Sequence, residues 1–142
     1  MTAKIRKSKF KGYNPKELEL REKHHLLLGS VAPRPIGFAA SKSNDGYINL
    51  APFSFHNAFS SNPPTVGISP AFSGRTGKTK NTLTNILDTK EFTLSVVTYD
   101  MVEQMNICAA DYPSKIDEFE KSGFTQYPSV IISVPGVKES PL

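Results

Sequence analysis

A chain of 142 residues is long enough for one domain that buries roughly 68–70% of the surface its unfolded form exposes. Hydrophobic residues make up 38% and charged residues 21%, with 11 Pro and 9 Gly between short apolar runs, which excludes a fibrous or low-complexity chain and indicates a globular one rich in turns. The net charge of +4 does not mark a nucleic-acid binder, because Lys4, Arg6, Lys7, Lys9 and Lys11 precede Gly12 and the other 12 basic residues face 13 acids.

Residues 1–12 therefore read as a disordered basic tail and residues 13–142 as the folded domain, with neither nucleic acid nor a membrane expected as partner. The tail has no apolar stretch after its charges, so it does not read as a secretory signal, and no segment approaches the roughly 20 apolar residues of a membrane span. Cys108 is the only cysteine, which rules out an internal disulfide and cysteine-pair metal motifs; no metal site is expected, and a reducing cytoplasm is the expected compartment.

In chain order, Asn14-Pro15-Lys16-Glu17-Leu18 reads as the start of a short helix ending before Leu26. His24 and His25, being adjacent, are expected on opposite sides of a strand and not as a metal pair. Ile36, Phe38 and Ala40 then alternate with Gly37, Ala39 and Ser41, a period of two that predicts a strand with one apolar and one small-residue face. Asn44-Asp45-Gly46 supplies a tight turn and Tyr47 to Leu50 the returning strand, so a hairpin is expected over 35–51. Pro52 lacks an amide donor, so that strand is expected to end or bulge there, leaving the amides of Phe53 to His56 for another acceptor beside the small-residue face.

Val66 to Ser69 reads as a further strand. Ser69, Ser73, Arg75, Thr76, Lys78, Thr79, Lys80, Asn81 and Thr82 follow within fourteen residues that hold no acid, and Leu83, Ile86 and Leu87 have helical spacing. Asn81 or Thr82 would cap this helix, whose first amides and positive dipole end favour a phosphate, and Arg75 adds a planar fork for two phosphate oxygens. The same composition suits a solvated loop, and the residues alone leave both readings open. A nucleoside-triphosphate loop is excluded: Gly77-Lys78-Thr79 would need a glycine at position 72, which is Phe.

Beyond it, Glu91 to Thr98 reads as a strand and Asp100 as the cap of a helix with Glu103 in capping-box position, where Cys108 is a packed thiol. A third helix is expected from Ser114 to Lys121, capped by Asp111 or Ser114 and stopped near Gly123, and Val130 to Val134 is expected as the last strand. One mostly β or α+β domain follows, with no internal repeat.

PRPIGFAAS, GYINLAPFSFHNAFSSNPP and RTGKTKNTLTN, in this order and spacing, resemble the flavin reductase-like proteins, the FMN-binding split β-barrels that include flavoredoxin. The resemblance covers Leu27 to Leu142 and implies an antiparallel split β-barrel with a few helices. It implies that Asn49, Ala51, Ser54 and Phe55, with Leu50 between them, border the flavin ring, and that Arg75, Lys80, Asn81 and Thr82 hold the phosphate. Ser41 or Ser69 would add a hydroxyl to the ribityl chain or phosphate. The family's activity implies FMN, with FAD as the alternative, and NADH or NADPH as reductant of an NAD(P)H-dependent flavin reductase. A flavoredoxin-type electron carrier reduced by a protein partner is the alternative activity. No protein acid or base is required for hydride transfer, so no catalytic residue is assigned; His56 is a candidate for tuning the flavin or a plain structural histidine. The resemblance also implies a homodimer, with Phe53, Phe55 and Phe59 as exposed apolar contacts. The family continues with further strands beyond Val134 to Pro141, so a barrel short at its C-terminus, or a noncatalytic fragment, is expected from this chain alone.

Overall fold

A computed structural model describes residues 12–70, 72 and 77–142. Most of the basic tail and Arg75 lie outside the described residues. The chain divides into two units, Met1–Ala32 and Pro33–Leu142.

In the first unit, Asn14 closes a turn instead of opening a helix: its carbonyl accepts from the Glu17 amide at 3.0 Å and its side chain from the Lys16 amide at 3.1 Å. The helix, α1, runs Leu20–Ser30 and is opened by a reciprocal capping box between Glu19 and Glu22. His24 and His25 therefore lie on a helix and not, as expected, on a strand. Their ring centroids are 6.4 Å apart.

In the second unit the predicted hairpin is present as β1 (Gly37–Lys42) and β2 (Ile48–Phe53), paired antiparallel from Gly37↔Phe53 to Lys42↔Ile48. The turn closes through Ser43, whose amide donates to the Tyr47 carbonyl at 2.9 Å, and Gly46 takes the positive φ of 90° that its position requires. Pro52 does not end the strand but pairs opposite Phe38. Because β2 is an edge strand in the order β2-β1-β5, a residue without an amide donor is tolerated there. β5 (Thr93–Val96) completes this sheet antiparallel to β1 and is shorter than the strand expected over Glu91 to Thr98.

A second hairpin, β3 (His56–Ser61) with β4 (Pro64–Ile68), carries a bulge between Ala58 and Ser60. Only β4 was expected; β3 has Ser and Asn where a strand usually carries apolar residues, and its residues beyond His56 are exposed. A third, two-residue pairing joins β6 (Gln126–Tyr127) to β7 (Gly136–Val137). Among the described residues these antiparallel sheets are not closed into a barrel by strand pairing, and no helix is long and apolar enough to cross a membrane.

One face of the first sheet builds the core. Phe38, Ala40 and Leu50 pack with Met101, Cys108, Phe119, Phe124, Val134 and Val137, and the Phe38 and Phe124 rings meet edge to face at 5.4 Å. Around it, α3 (Val102–Ile107) follows a 3-10 turn at Tyr99–Met101, so Asp100 and Glu103 form no capping box. The short α4 (Glu118–Ser122) is capped by Asp117, which accepts from the Phe119 amide at 2.8 Å, rather than by Asp111 or Ser114; Gly123 ends it at φ 77°, where the stop was predicted.

Val130 to Val134 is not a strand. The segment bends between Pro128 and Pro135, and the Ser133 amide and hydroxyl both donate to Glu91 Oε2, at 3.0 and 2.9 Å, so a side chain takes the place of a partner strand. Val130 and Ile131 face solvent, and Val134 alone of the five is fully buried in the core.

The opposite, small-residue face of β1 is covered by α2 (Asn81–Thr89). This helix buries Thr82 and Asn85 most deeply, with Leu83 and Ile86 half-buried and Leu87 exposed. The reason lies in the polar partners beneath it: Asn85 Nδ2 donates to Ser41 Oγ, and Asn49 Nδ2 to Thr82 Oγ1, each at 3.2 Å and each buried.

Candidate functional site

A cleft of about 260 Å³ opens along the free edge of β2. Its floor is Asn49, Ala51 and Pro52, one wall is Lys78 to Thr82 leading into α2, and the other is Cys108 to Pro113 with Glu118. The two walls are tied by Asn81 Nδ2, which donates to the Tyr112 carbonyl at 3.2 Å.

The α2 end of the cleft carries positive charge. Lys80 sits at the N-cap position with extended backbone, its own side chain makes no cap, and the first turn carries no acid. The helix thus presents its positive end and two nearby lysines, Lys78 and Lys80, to the same space. Lys80 Nζ also lies 5.6 Å from the Phe53 ring centroid, which holds its stem against the sheet.

Of the residues singled out in the sequence, Asn49, Ala51, Lys80, Asn81 and Thr82 meet in this cleft. Leu50, between two of them, points into the core instead and is fully buried. Ser41 is sealed beneath α2 by Asn85. Ser54 and Phe55 connect β2 to β3, and the Ser69 amide donates to the Phe55 carbonyl at 2.9 Å, so these three lie together but outside the cleft lining. Arg75 lies outside the described residues. Phe53, expected to be exposed, is only 5% accessible because β2 continues through it beneath Lys80, whereas Phe59 is 71% exposed.

His56 does not line the cleft. Its ring packs over Gly37, where a Cβ would come within 2.9 Å of His56 Cγ, and its Nδ1 is buried with no hydrogen-bond partner among the described residues.

Sequence reading missed Glu118. This carboxyl is 4% exposed, lines the cleft, and accepts from the Leu50 amide at 3.2 Å. Burial pushes its pKa from 4.5 up to about 7. An acid after an Asp cap reads as a solvated first-turn residue complementing the helix dipole, and only the neighbouring Phe119 hinted at an inward face. Cys108, on the same wall, is a packed thiol as expected; burial raises its pKa, which disfavours the reactive thiolate.

Residues 28–142 match the model of the flavin reductase like domain. The chain belongs to the flavin reductase-like family. It is 42% identical over 118 residues to an uncharacterized protein of Aquifex aeolicus, covering 82% of this chain and 59% of that one. Among solved structures it is similar to nitrilotriacetate monooxygenase component B from Bacillus cereus, with a TM-score of 0.86, 34% identity and coverage of 94% of this chain and 65% of that one. It is also similar to 2-nitrobenzoate 2-nitroreductase of Pseudomonas fluorescens, with a TM-score of 0.76, 32% identity and coverage of 92% and 61%. The chain thus spans about 60% of the length of the relatives it matches. Flavoredoxin of Desulfovibrio vulgaris, with a TM-score of 0.68 at 21% identity, shares the fold.

Proposed function

We propose that this chain binds FMN at the β2 edge and serves an oxidoreductase that takes a hydride from NADH or NADPH. One observation carries the reading: the residues assigned to the phosphate (Lys80, Asn81, Thr82) and two of those assigned to the ring (Asn49, Ala51) converge on one cleft, although Asn49 and Thr82 are 33 residues apart in sequence. The chemistry of the donor set fits the group. Lys80 and Asn81 at the helix start supply donors for phosphate oxygens, Thr82 holds Asn49 in place beneath them, and the apolar Ala51 and Pro52 floor suits a flat surface. A volume of about 260 Å³ lies below the roughly 300–1,000 Å³ of enclosed cofactor sites, so the bound group would extend beyond the cleft toward the surface.

When bound, the flavin supplies the hydride acceptor, and such transfer asks no acid or base of the protein. The work of this chain is then to hold and orient. Lys80 and Arg75 neutralise the phosphate, Asn81 ties it to the Tyr112 wall, and Asn49, locked by Thr82, keeps the strand edge in register beside the ring. Two structural relatives of more than 30% identity bear the names of a reductase and of a monooxygenase component, which supports the same reaction class. A split-barrel arrangement, a homodimer that covers the exposed Phe59 hairpin, and a cytoplasmic location complete the proposal.

The deciding experiment is an absorption spectrum of the purified protein with FMN, followed by anaerobic mixing with NADH and NADPH. Bands near about 370 and 450 nm that bleach with either nicotinamide support the reading. Bound flavin that bleaches only with a protein redox partner would replace the reductase by an electron carrier. Failure to take up FMN would overturn flavin binding.

A further inference from the structure

The cleft holds one buried acid for which orientation of a cofactor offers no use. We propose that Glu118 is a positioning residue that couples a proton to ligand binding: as a neutral carboxyl it admits a phosphate-bearing ligand, and as a carboxylate it repels one. The proposal rests on the FMN reading above and specifies how that site responds to pH.

Three observations support it. First, Glu118 projects from α4 into the lining of the same cleft as Lys78, Lys80, Asn81 and Thr82, so its charge shares the space offered to the anion. Second, its Oε2 accepts from the Leu50 amide, between Asn49 and Ala51, so the charge on the carboxyl bears directly on the strand edge that floors the cleft. Third, burial holds it protonated up to about pH 7, with the neighbouring Asp117 adding to the effect. The charge change thus falls in the physiological range, where histidine is the usual actor, and no histidine lines this cleft among the described residues.

The other charged and titratable groups around Glu118 are accounted for. Cys108 on α3 is raised by burial and stays a neutral thiol. Asp117, Glu120 and Lys121 belong to the α4 region, with Asp117 spent on the Phe119 cap. Lys78 and Lys80 line the wall opposite, and Asp111 and Tyr112 line the same wall as Glu118.

The test is FMN affinity by flavin fluorescence from pH 6 to 8.5, for the native protein and Glu118→Gln, with riboflavin as the probe lacking a phosphate. The substitution keeps an acceptor for the Leu50 amide and is neutral at every pH. Native affinity for FMN should fall as pH rises through about 7, while the variant should keep its low-pH affinity and bind FMN about fivefold tighter than native at pH 8.5, the effect of one nearby charge at the strength it has in water. Riboflavin should show a smaller slope in both. Calorimetry of the native protein in two buffers of different ionisation enthalpy at pH 7.5 reads the same coupling without any variant, as net proton uptake on FMN binding. Parallel pH profiles for native and variant, or no proton uptake, would overturn the role of Glu118 while leaving flavin binding standing. A native protein that takes up neither FMN nor riboflavin at any pH overturns the flavin reading, and this proposal with it.

Discussion

Asn49 Nδ2 donates to Thr82 Oγ1 at 3.2 Å, joining the edge strand β2 to the first turn of α2 across 33 residues of sequence. Thr82 is 1% exposed and Asn49 7%, so neither group can turn to water if the other is lost. Asn49→Ala should cost about 1–3 kcal/mol of stability, the penalty of a buried polar group left unpaired. Urea unfolding checks this, and Thr82→Val should cost less in the Asn49→Ala background than alone, since the shared bond is lost only once.

Phe38 is fully buried at the centre of the core and meets Phe124 edge to face. Phe38→Ala should destabilise the fold by about 3–5 kcal/mol. A shift of the thermal midpoint of only one or two degrees would show that the core does not close on this ring.

Gly37 is needed for space. A Cβ there would lie 2.9 Å from His56 Cγ and 3.0 Å from Leu94 Cδ1, so Gly37→Ala should cost about 1–3 kcal/mol through overpacking. The double change with His56→Ala should recover part of that loss, measured by the same unfolding midpoints.

Lys80→Ala, with or without Arg75→Ala, should weaken FMN by about tenfold or more, the loss of a charge-assisted bond. Riboflavin, without a phosphate, should change about twofold at most, because only the Lys80 contact with the Phe53 ring is lost beside it. Equal losses for the two ligands would move the phosphate away from α2.

Glu118 also makes stability depend on pH. Its folded pKa, about 7, lies above the ordinary 4.5, so between these values the folded state holds a proton that the unfolded chain has released. Stability from this group is therefore full below about pH 4.5 and is lost as pH rises to about 7. The stability of Glu118→Gln relative to native should thus be greater at pH 8 than at pH 4, by on the order of 1–3 kcal/mol. Chemical denaturation at the two pH values reads the difference, and an equal offset at both would show that Glu118 is not held neutral.

Local pattern was legible where periodicity and turn chemistry agreed. The alternation from Ile36 to Ser41, Asn44-Asp45-Gly46 and the return through Leu50 specify a hairpin that is present, because a two-residue period with a turn of φ-tolerant residues leaves one register. A helix over Asn81 to Leu87 was legible, although its cap is Lys80 and not Asn81 or Thr82, and the deep burial of its polar residues was not legible. Leu83, Ile86 and Leu87 are the apolar side, but Ser41 and Asn49 on β1 and β2 needed buried partners, and Asn85 and Thr82 supply them. Val130 to Val134 has the composition of a strand and lacks a partner, since Glu91 occupies the Ser133 amide.

The family, the first hairpin and the residue types for an anion at the start of α2 can all be read along the chain, because motif order, alternation and donor chemistry are local properties. Packing in three dimensions was needed to bring Asn49, Ala51, Lys80, Asn81 and Thr82 into one cleft, to seal Ser41 beneath a helix, and to carry Glu118 to the edge of β2 as a buried acid. Burial and desolvation depend on which distant segments meet, and no local pattern carries that information.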